Sequence, residues 1–459
     1  MDKKVLLEKL ARESFEKEGL NGAWLYAEKG EIVSKGACGW RDPEGTLPIT
    51  EETIFQLASV SKTFTAAAVM LVVRRGLMSL DDKIIKFFPE LTDYEGVTVR
   101  HLLNHTGGIP DYFDDADWFV NVMKEEKRVP GTDDIIRFLK ETKLKPLFVP
   151  GERFEYSNTG YNLLALIVER LTGVSYEEFL RKNIFEPAGM TSTRCCHVRR
   201  DGVPFENYAR PIVLVGDKYV ADIDSNWKDE VCALDGLNGD DYVYSNIFDM
   251  LAWDRALREG KILTLKEQEL MYTPGKLNNG KDALYDDEDN GSYGFGWGIE
   301  RDEKFGLVVS HSGGMPGVIT WFERFVDADR VLVFLMNRYS ADYRAIMGFY
   351  DGAQKIARDE EAEPVITIEE IAIKDPDKSK WESFCGKYEE PEDEEFIIKE
   401  VFMKDGDLYA DAVSDDFGEI TFRFYPLAGN KFGRKGGMAE IEFGEGTITY
   451  GGNTLKKLS

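Results

Sequence analysis

The decapeptide Phe55-Gln56-Leu57-Ala58-Ser59-Val60-Ser61-Lys62-Thr63-Phe64 runs into the apolar stretch Ala66 to Val73. Apolar residues at i, i+3 and i+4 predict a helix from Lys62 to Arg75. Ser59 and Lys62 then share one face at the helix start, and the ammonium can lie beside the hydroxyl. The unsatisfied N–H groups of the first turn favour negative charge developing there. Ser61, adjacent to Lys62, points elsewhere. Taken alone, a Ser-x-x-Lys pair is most often an N-cap serine followed by an exposed lysine, so its meaning depends on what distant parts of the chain bring to it.

Two other segments supply candidates. In Pro150-Gly151-Glu152-Arg153-Phe154-Glu155-Tyr156-Ser157-Asn158, a Tyr-x-Asn sits in a turn ahead of a predicted helix from Tyr161 to Leu171. A cation about 4 Å from a phenolate attracts it by about 4 kcal/mol at an effective dielectric of 20, so a Tyr156 facing Lys62 is a candidate base for Ser59. The second segment, Val308-Val309-Ser310-His311-Ser312-Gly313-Gly314, reads as a strand ending in small residues. Glycine at a strand edge lets a substrate backbone lie alongside, with a backbone N–H aimed at a carbonyl oxygen. The alternative for His311 is a histidine packed within the sheet.

Around these motifs the pattern is α+β. A first amphipathic helix precedes β-rich runs Ala23 to Glu28 and Glu31 to Trp40, joined at Lys29-Gly30 as a hairpin. Helical periodicity covers Lys62 to Arg75, Asp133 to Glu141, Tyr161 to Leu171 and Ser175 to Ile184, and strands return at Leu307 to Ser310, Val318 to Phe325 and Val331 to Met336. The expected architecture is an antiparallel sheet closed by the chain ends, flanked by helices, beside a helical subdomain. Residues 200 to 292 are rich in Asp, Asn and Gly and read as long surface excursions around one helix, Ile247 to Arg258. The expected domains are 1–358, a charged linker at 359–380 carrying Pro364 and Pro376, and a small antiparallel β domain at 381–459. In the last, Ile420, Phe422 and Phe424 alternate with polar residues, the pattern of a small β-barrel or sandwich.

Composition narrows the function. The 459 residues carry 57 Lys and Arg against 84 Asp and Glu, a formal charge of −27 that argues against nucleic acid and anionic membranes as partners. The apolar run Ala66 to Val73 is far shorter than the roughly 20 residues a bilayer demands. Five scattered cysteines without a C-x-x-C pair, and a first segment unlike a signal peptide, lead to the expectation of a cytoplasmic protein. His101 and His105 have zinc-compatible spacing, but Leu102 stands where H-E-x-x-H requires Glu. No metal and no cofactor is expected, and no G-x-S-x-G nucleophile elbow occurs.

In this order the three motifs resemble those of the serine β-lactamase and penicillin-binding-protein superfamily, in the branch of class C β-lactamases, D-alanyl-D-alanine carboxypeptidases and D-aminopeptidases. The resemblance covers roughly residues 20 to 358 and extends to His101-Leu102-Leu103-Asn104-His105-Thr106-Gly107-Gly108, Phe185-Glu186-Pro187-Ala188-Gly189-Met190 and Tyr293-Gly294-Phe295-Gly296-Trp297. It implies a β-lactamase/transpeptidase-like fold, and the last 80 or so residues look like the lipocalin-like barrel appended to some peptidase relatives. It further implies Ser59 as nucleophile, Lys62 and Tyr156 as the proton-handling pair, and Asn158 as a ligand of Lys62 or of the substrate amide. The backbone N–H groups of Ser59 and Gly314 would form the oxyanion hole, with His311, Ser312 and Gly313 beside the substrate. Where β-lactamases commonly have Lys-Thr-Gly, this chain has His311-Ser312-Gly313, so the ammonium that helps hold a substrate carboxylate is missing. The expectation is a serine hydrolase of small peptides, amides or esters, including those with D-amino acids. A β-lactamase is the alternative within the enzyme class, and a non-catalytic binding protein is the alternative outside it. Oligomeric state stays open.

Overall fold

The computed structural model describes residues 2–458 except 18, 216–217, 286–290, 339–342, 392–395, 415–417, 436 and 438–439. Helix α1 (Lys3–Glu16) precedes strands β1 (Gly22–Glu28) and β2 (Glu31–Cys38). Lys29 and Gly30 both take positive φ, 51° and 82°, as a two-residue hairpin turn requires. The helices that matter for the cleft are α2 (Lys62–Arg74), α3 (Asn158–Thr172) and α4 (Ile247–Arg258). Then come β3 (Ser292–Tyr293), β4 (Gly298–Asp302), β5 (Gly306–Met315), β6 (Val318–Phe325), β7 (Arg330–Met336) and α5 (Tyr343–Ala357).

The seven strands form one antiparallel sheet in the order β2-β1-β7-β6-β5-β4-β3. Its early hairpin pairs with its last strand, Gly22 opposite Met336, so the first and last strands of the sheet sequence meet as expected. Both faces are covered. Ala23, Leu25, Val331, Val333 and Leu335 point into the larger core with α2 and α3, whereas Trp24, Tyr26, Leu332, Phe334 and Met336 point into a second core with α1 and α5. Burial on both faces is why these strands read as unbroken apolar runs. Helix α2 is buried from Lys62 to Val72, enclosed by sheet and helical subdomain together.

Residues 200–292 depart from expectation. They include a hairpin (Ile212–Val215 with Lys218–Ala221), a helix Lys228–Leu234, and a strand Val243–Ser245 that pairs with Phe55–Gln56 and Arg194–Cys195. Six of their acids, Asp222, Asp235, Asp240, Asp241, Asp249 and Asp254, are buried. Asp222 and Asp235 are buried against the guanidinium of Arg199. Polar composition here marked a buried hydrogen-bonded wall, which composition alone does not distinguish from a loop.

The stretch 359–380 is tied down at both ends. Asp359 pairs with Lys3, Lys304 and Arg330, Val365 enters the second core, and the Ile373 N–H donates to Pro426 O at 2.8 Å. Beyond it lies an antiparallel β region, although the barrel is not closed. Strands Phe396–Lys404, Asp407–Ser414 and Gly418–Arg423 form one sheet, and five short strands from Tyr425 to Lys456 form another. Ile398, Leu408, Phe432, Phe443 and Ile448 share one core between them. Alternation specifies which face is buried and says nothing of which edges pair, so barrel and sandwich look alike in sequence. Among the described residues no helix is long and apolar enough to cross a membrane.

Candidate active site

Ser59 lies in a 3-10 turn, Ala58–Ser61, that leads directly into α2. The turn is fastened from outside: Leu57 N–H donates to Val243 O at 2.9 Å, and Thr320 Oγ1 donates to Leu57 O at 2.6 Å. Ala58 takes φ +47°, a left-handed conformation costing a non-glycine residue about 1–3 kcal/mol, held by packing against Met315 and Val318. This sharp entry leaves Ser59 at the cleft and turns Ser61 inward, where its Oγ accepts from Val243 N–H at 3.2 Å.

Lys62 is completely buried, and its three protons are all used. Nζ donates to Ser59 Oγ at 2.9 Å, to Asn158 Oδ1 at 2.7 Å and to the backbone O of Asp240 at 3.1 Å. Among the described residues no carboxylate pairs with it directly. Instead it lies 5.1 Å from the ring centroid of Tyr156 and 5.6 Å from that of Tyr161, so two ring faces help to stabilise the cation. Lys62 therefore meets Tyr156 at its ring, not by a hydrogen bond to the phenol. Tyr156 is half-buried and lies against the His105 ring at 4.2 Å between centroids. His105 sits beyond the end of its helix with φ +57°, and its Nδ1 accepts from Ser157 N–H at 3.1 Å; His101 Nδ1 accepts from Thr98 N–H. The two histidines thus serve separate hydrogen bonds. Among the described residues no group of three or more His, Cys, Asp or Glu is arranged to hold a metal ion.

Asn158 is the first residue of α3, capped by Ser157, whose side chain accepts from Gly160 N–H. Its backbone N–H and Nδ2 both donate to Asp111 Oδ2, at 2.8 and 2.9 Å, which turns Oδ1 toward Lys62. Burial pushes the Asp111 carboxyl up to about 6 despite these donors. A second acid stands behind Lys62: Asp240 accepts from Tyr112 Oη at 2.6 Å and from Asn162 Nδ2 at 2.5 Å, fixing the carbonyl that Lys62 uses. Its neighbour Asp241 accepts from Gln56 Nε2 at 2.7 Å and is likewise pushed up to about 6 by burial. Sequence reasoning missed Asp111, Asp240 and Asp241. Nothing short of the fold brings them to the lysine.

Strand β5 forms the opposite wall and is longer than expected, running on through His311 to Met315. Its pairing with β4 stops at Ser310, so beyond that residue one edge of β5 has no strand partner among the described residues. A Cβ on Gly313 would lie 2.4 Å from Leu57 O and 2.3 Å from Thr320 Oγ1, so glycine there lets the strand press on the serine turn; Gly313 does not itself face the cleft. Gly314 has open space at that position and, with Ser59, Tyr156, Asn158, Asp240 and Asp241, lines a cavity of about 610 Å³. His311 is buried. Its Nδ1 lies 2.5 Å from Ser312 O, which can only accept, so Nδ1 carries the proton and Nε2 accepts from Tyr293 Oη at 2.7 Å. Burial, with the nearby Lys62 cation, pushes its pKa down to about 3, so the ring is neutral. His311 and Ser312 line a neighbouring space that also touches Tyr156.

The site thus joins a hydroxyl hydrogen-bonded to a buried amine, a phenol ring against that amine, and an open strand edge facing both. Penicillin-binding protein 4* of Bacillus subtilis (strain 168) is 36% identical to this chain over 70% of it and 69% of the relative's own length. A D-aminopeptidase of Gluconobacter oxydans (strain 621H) is 26% identical over 65% of this chain, an alignment spanning 52% of that protein. Among solved structures, the octameric penicillin-binding protein homologue from Pyrococcus abyssi superposes with a TM-score of 0.66 at 24% identity, covering 98% of this chain and 99% of that one. The sequence profile of the beta-lactamase family matches residues 7–352, and the chain belongs to that family of serine hydrolases.

Proposed function

We propose that this protein hydrolyses small amides and peptides through an acyl-enzyme on Ser59, with D-amino acid derivatives as its substrates. The observation that carries the reading is Lys62 Nζ, wholly buried, 2.9 Å from Ser59 Oγ at the wall of a cavity open to the free edge of β5. As Ser59 attacks the carbonyl carbon, its proton passes to the Tyr156 oxygen, acting as a phenolate base beside the Lys62 ammonium, and then to the departing nitrogen as the C–N bond breaks. Water, deprotonated by the same pair, then cleaves the ester. The N–H groups of Ser59 and Gly314 receive the oxyanion, each worth about 3 kcal/mol. Asn158 positions Lys62 and is itself held by Asp111.

Similarity to a D-aminopeptidase supports the D-aminoacyl class. So does the charge of the cleft: Glu230 lines the cavity beside Asp240 and Asp241, and makes no ion pair among the described residues, so a protonated substrate amine meets opposite charge. Neutral His311 offers no cation for a substrate carboxylate, which weighs against β-lactams and carboxypeptidase substrates. A fluorophosphonate, followed by intact mass, tests the chemistry: one adduct in the wild type and none in Ser59→Ala is expected, and an unlabelled wild type at neutral pH favours a binding protein. Panels of D- and L-aminoacyl anilides, nitrophenyl esters and nitrocefin then assign the substrate. We further take residues 1–358 as the hydrolase and 381–459 as a separate β module, joined through 359–380. Truncation near 360, assayed for activity and mass, tests that division. A cytoplasmic location is our reading of five cysteines that are all free thiols.

A further inference from the structure

Tyr156 lines two spaces. One is the cavity with Ser59, Asn158 and Gly314; the other is a chamber of about 360 Å³ on the His311 side, walled by Phe154, Tyr156, Tyr285, Tyr293 and Trp321. Four of these rings are in contact, with centroids of Phe154 and Tyr293 at 5.9 Å, Phe154 and Tyr285 at 6.5 Å, and Tyr156 and Tyr293 at 6.4 Å. Among the described residues no Lys, Arg, Asp or Glu lines it, and its histidine is held neutral by the Ser312 carbonyl and the Tyr293 hydroxyl.

Resting on the hydrolase reading above, we propose that this chamber is the leaving-group subsite and selects departing amines that carry an uncharged aromatic group. The chemistry of acylation assigns the side. The Ser59 Oγ–C bond forms while the C–N bond breaks, and the serine proton must end on the departing nitrogen, so that nitrogen lies against the Lys62 and Tyr156 pair. The carbonyl carbon and its oxyanion belong with Ser59 and Gly314 in the larger cavity. Of the two spaces sharing Tyr156, the one lacking Ser59 and Gly314 is left for the leaving group. Its size suits a ring, since an apolar cavity of roughly 150 Å³ already admits benzene. Stacked and edge-on contacts with these rings favour an aromatic occupant, whereas a carboxylate would lose its water without gaining a cation.

The fold offers a clean way to fill the chamber. A Cβ built on Gly298, which lines the chamber, meets Ser310 O at 3.4 Å and Tyr285 Cε1 at 3.9 Å, ordinary contacts, so Gly298→Leu adds bulk there without removing a ring. The test uses the full-length protein and one acyl group, the one turned over fastest in the substrate panel. It is presented as the methylamide, the benzylamide and the 4-carboxybenzylamide, whose amines depart with similar intrinsic ease. The wild type is expected to show kcat/KM for the benzylamide at least about tenfold above both others. Gly298→Leu should abolish that advantage while methylamide turnover and fluorophosphonate labelling persist; Gly298→Ala, with less bulk, should keep most of it. Equal turnover of benzylamide and carboxybenzylamide by the wild type, or equal loss on methylamide and benzylamide in a labelled Gly298→Leu, overturns the subsite alone. No adduct and no turnover in the wild type overturns the hydrolase reading and the subsite together.

Discussion

The two sides of the cleft differ in what stabilises them. On the α3 side the walls are polar: Lys62, Asn158, Asp111 and Asp240 form a connected set of hydrogen bonds in which Lys62 spends every proton, and Asp241 beside them accepts from Gln56. On the β5 side the described walls are mostly rings, and the histidine among them, His311, is kept neutral. The polar side can hold and pass a proton because each donor is oriented before substrate arrives. The ring side can sort substrates by shape and charge because none of its described lining residues carries a charge.

The largest expected effect breaks the polar side outright. Lys62→Met should lower kcat by about 10³-fold or more while the thermal midpoint stays near the wild-type value, because a buried cation is removed together with its desolvation penalty. Activity assays beside a melting curve check both halves; a strongly reduced midpoint would refute the stability half. Next is Asp111→Asn, which frees Asn158 to turn and should reduce kcat by about 10²-fold. This variant also sharpens the electrostatics. The Asp111 carboxyl is raised above its ordinary value to about 6, so its contribution to stability is present at low pH and is lost as pH rises through 6. The melting point of Asp111→Asn should accordingly gain on the wild type between pH 4 and 7, while wild-type kcat rises over the same range as the carboxylate that orients Asn158 forms. A wild-type melting point that rose together with kcat over this range would contradict this.

His311→Lys places a cation on the ring side and should raise kcat/KM about tenfold for carboxylate-bearing substrates such as nitrocefin. Steady-state assays read it directly, and unchanged selectivity would show that charge on that wall does not govern choice. The smallest effect belongs to Glu230→Gln. Because Glu230 is partly open to solvent, loss of its charge should cut the preference for free-amine over N-acetylated substrates by only about threefold.

The contrast also explains what was readable beforehand. The Ser59 and Lys62 pairing is local, three residues apart at a helix start, and the strands around the cleft announce themselves through apolar runs buried on both faces. Asp111, Asp240 and Asp241 gave no comparable signal. Their partners stand 47 residues away for Asp111 and Asn158, and 178 for Asp240 and Lys62. Buried acids satisfied by hydrogen bonds have the composition of a loop, and for that reason residues 200–292 read as surface. The C-terminal β region misled differently, since alternation reveals the buried face of each strand and leaves the pairing of edges undecided.

Sequence alone therefore determined the chemical vocabulary of this protein: a serine with a lysine one turn away, a tyrosine and asparagine ahead of a helix, and a glycine-ended strand, all within an α+β chain. These follow from short-range geometry, where spacing along the backbone dictates which side chains can meet. Only the tertiary structure decided that Lys62 is anchored by Asn158 and the Asp240 carbonyl, that His311 is neutral, and that Tyr156 divides a polar cavity from an aromatic one. Each of those depends on desolvation and on contacts between segments far apart in the chain, and burial is a property of the packed whole.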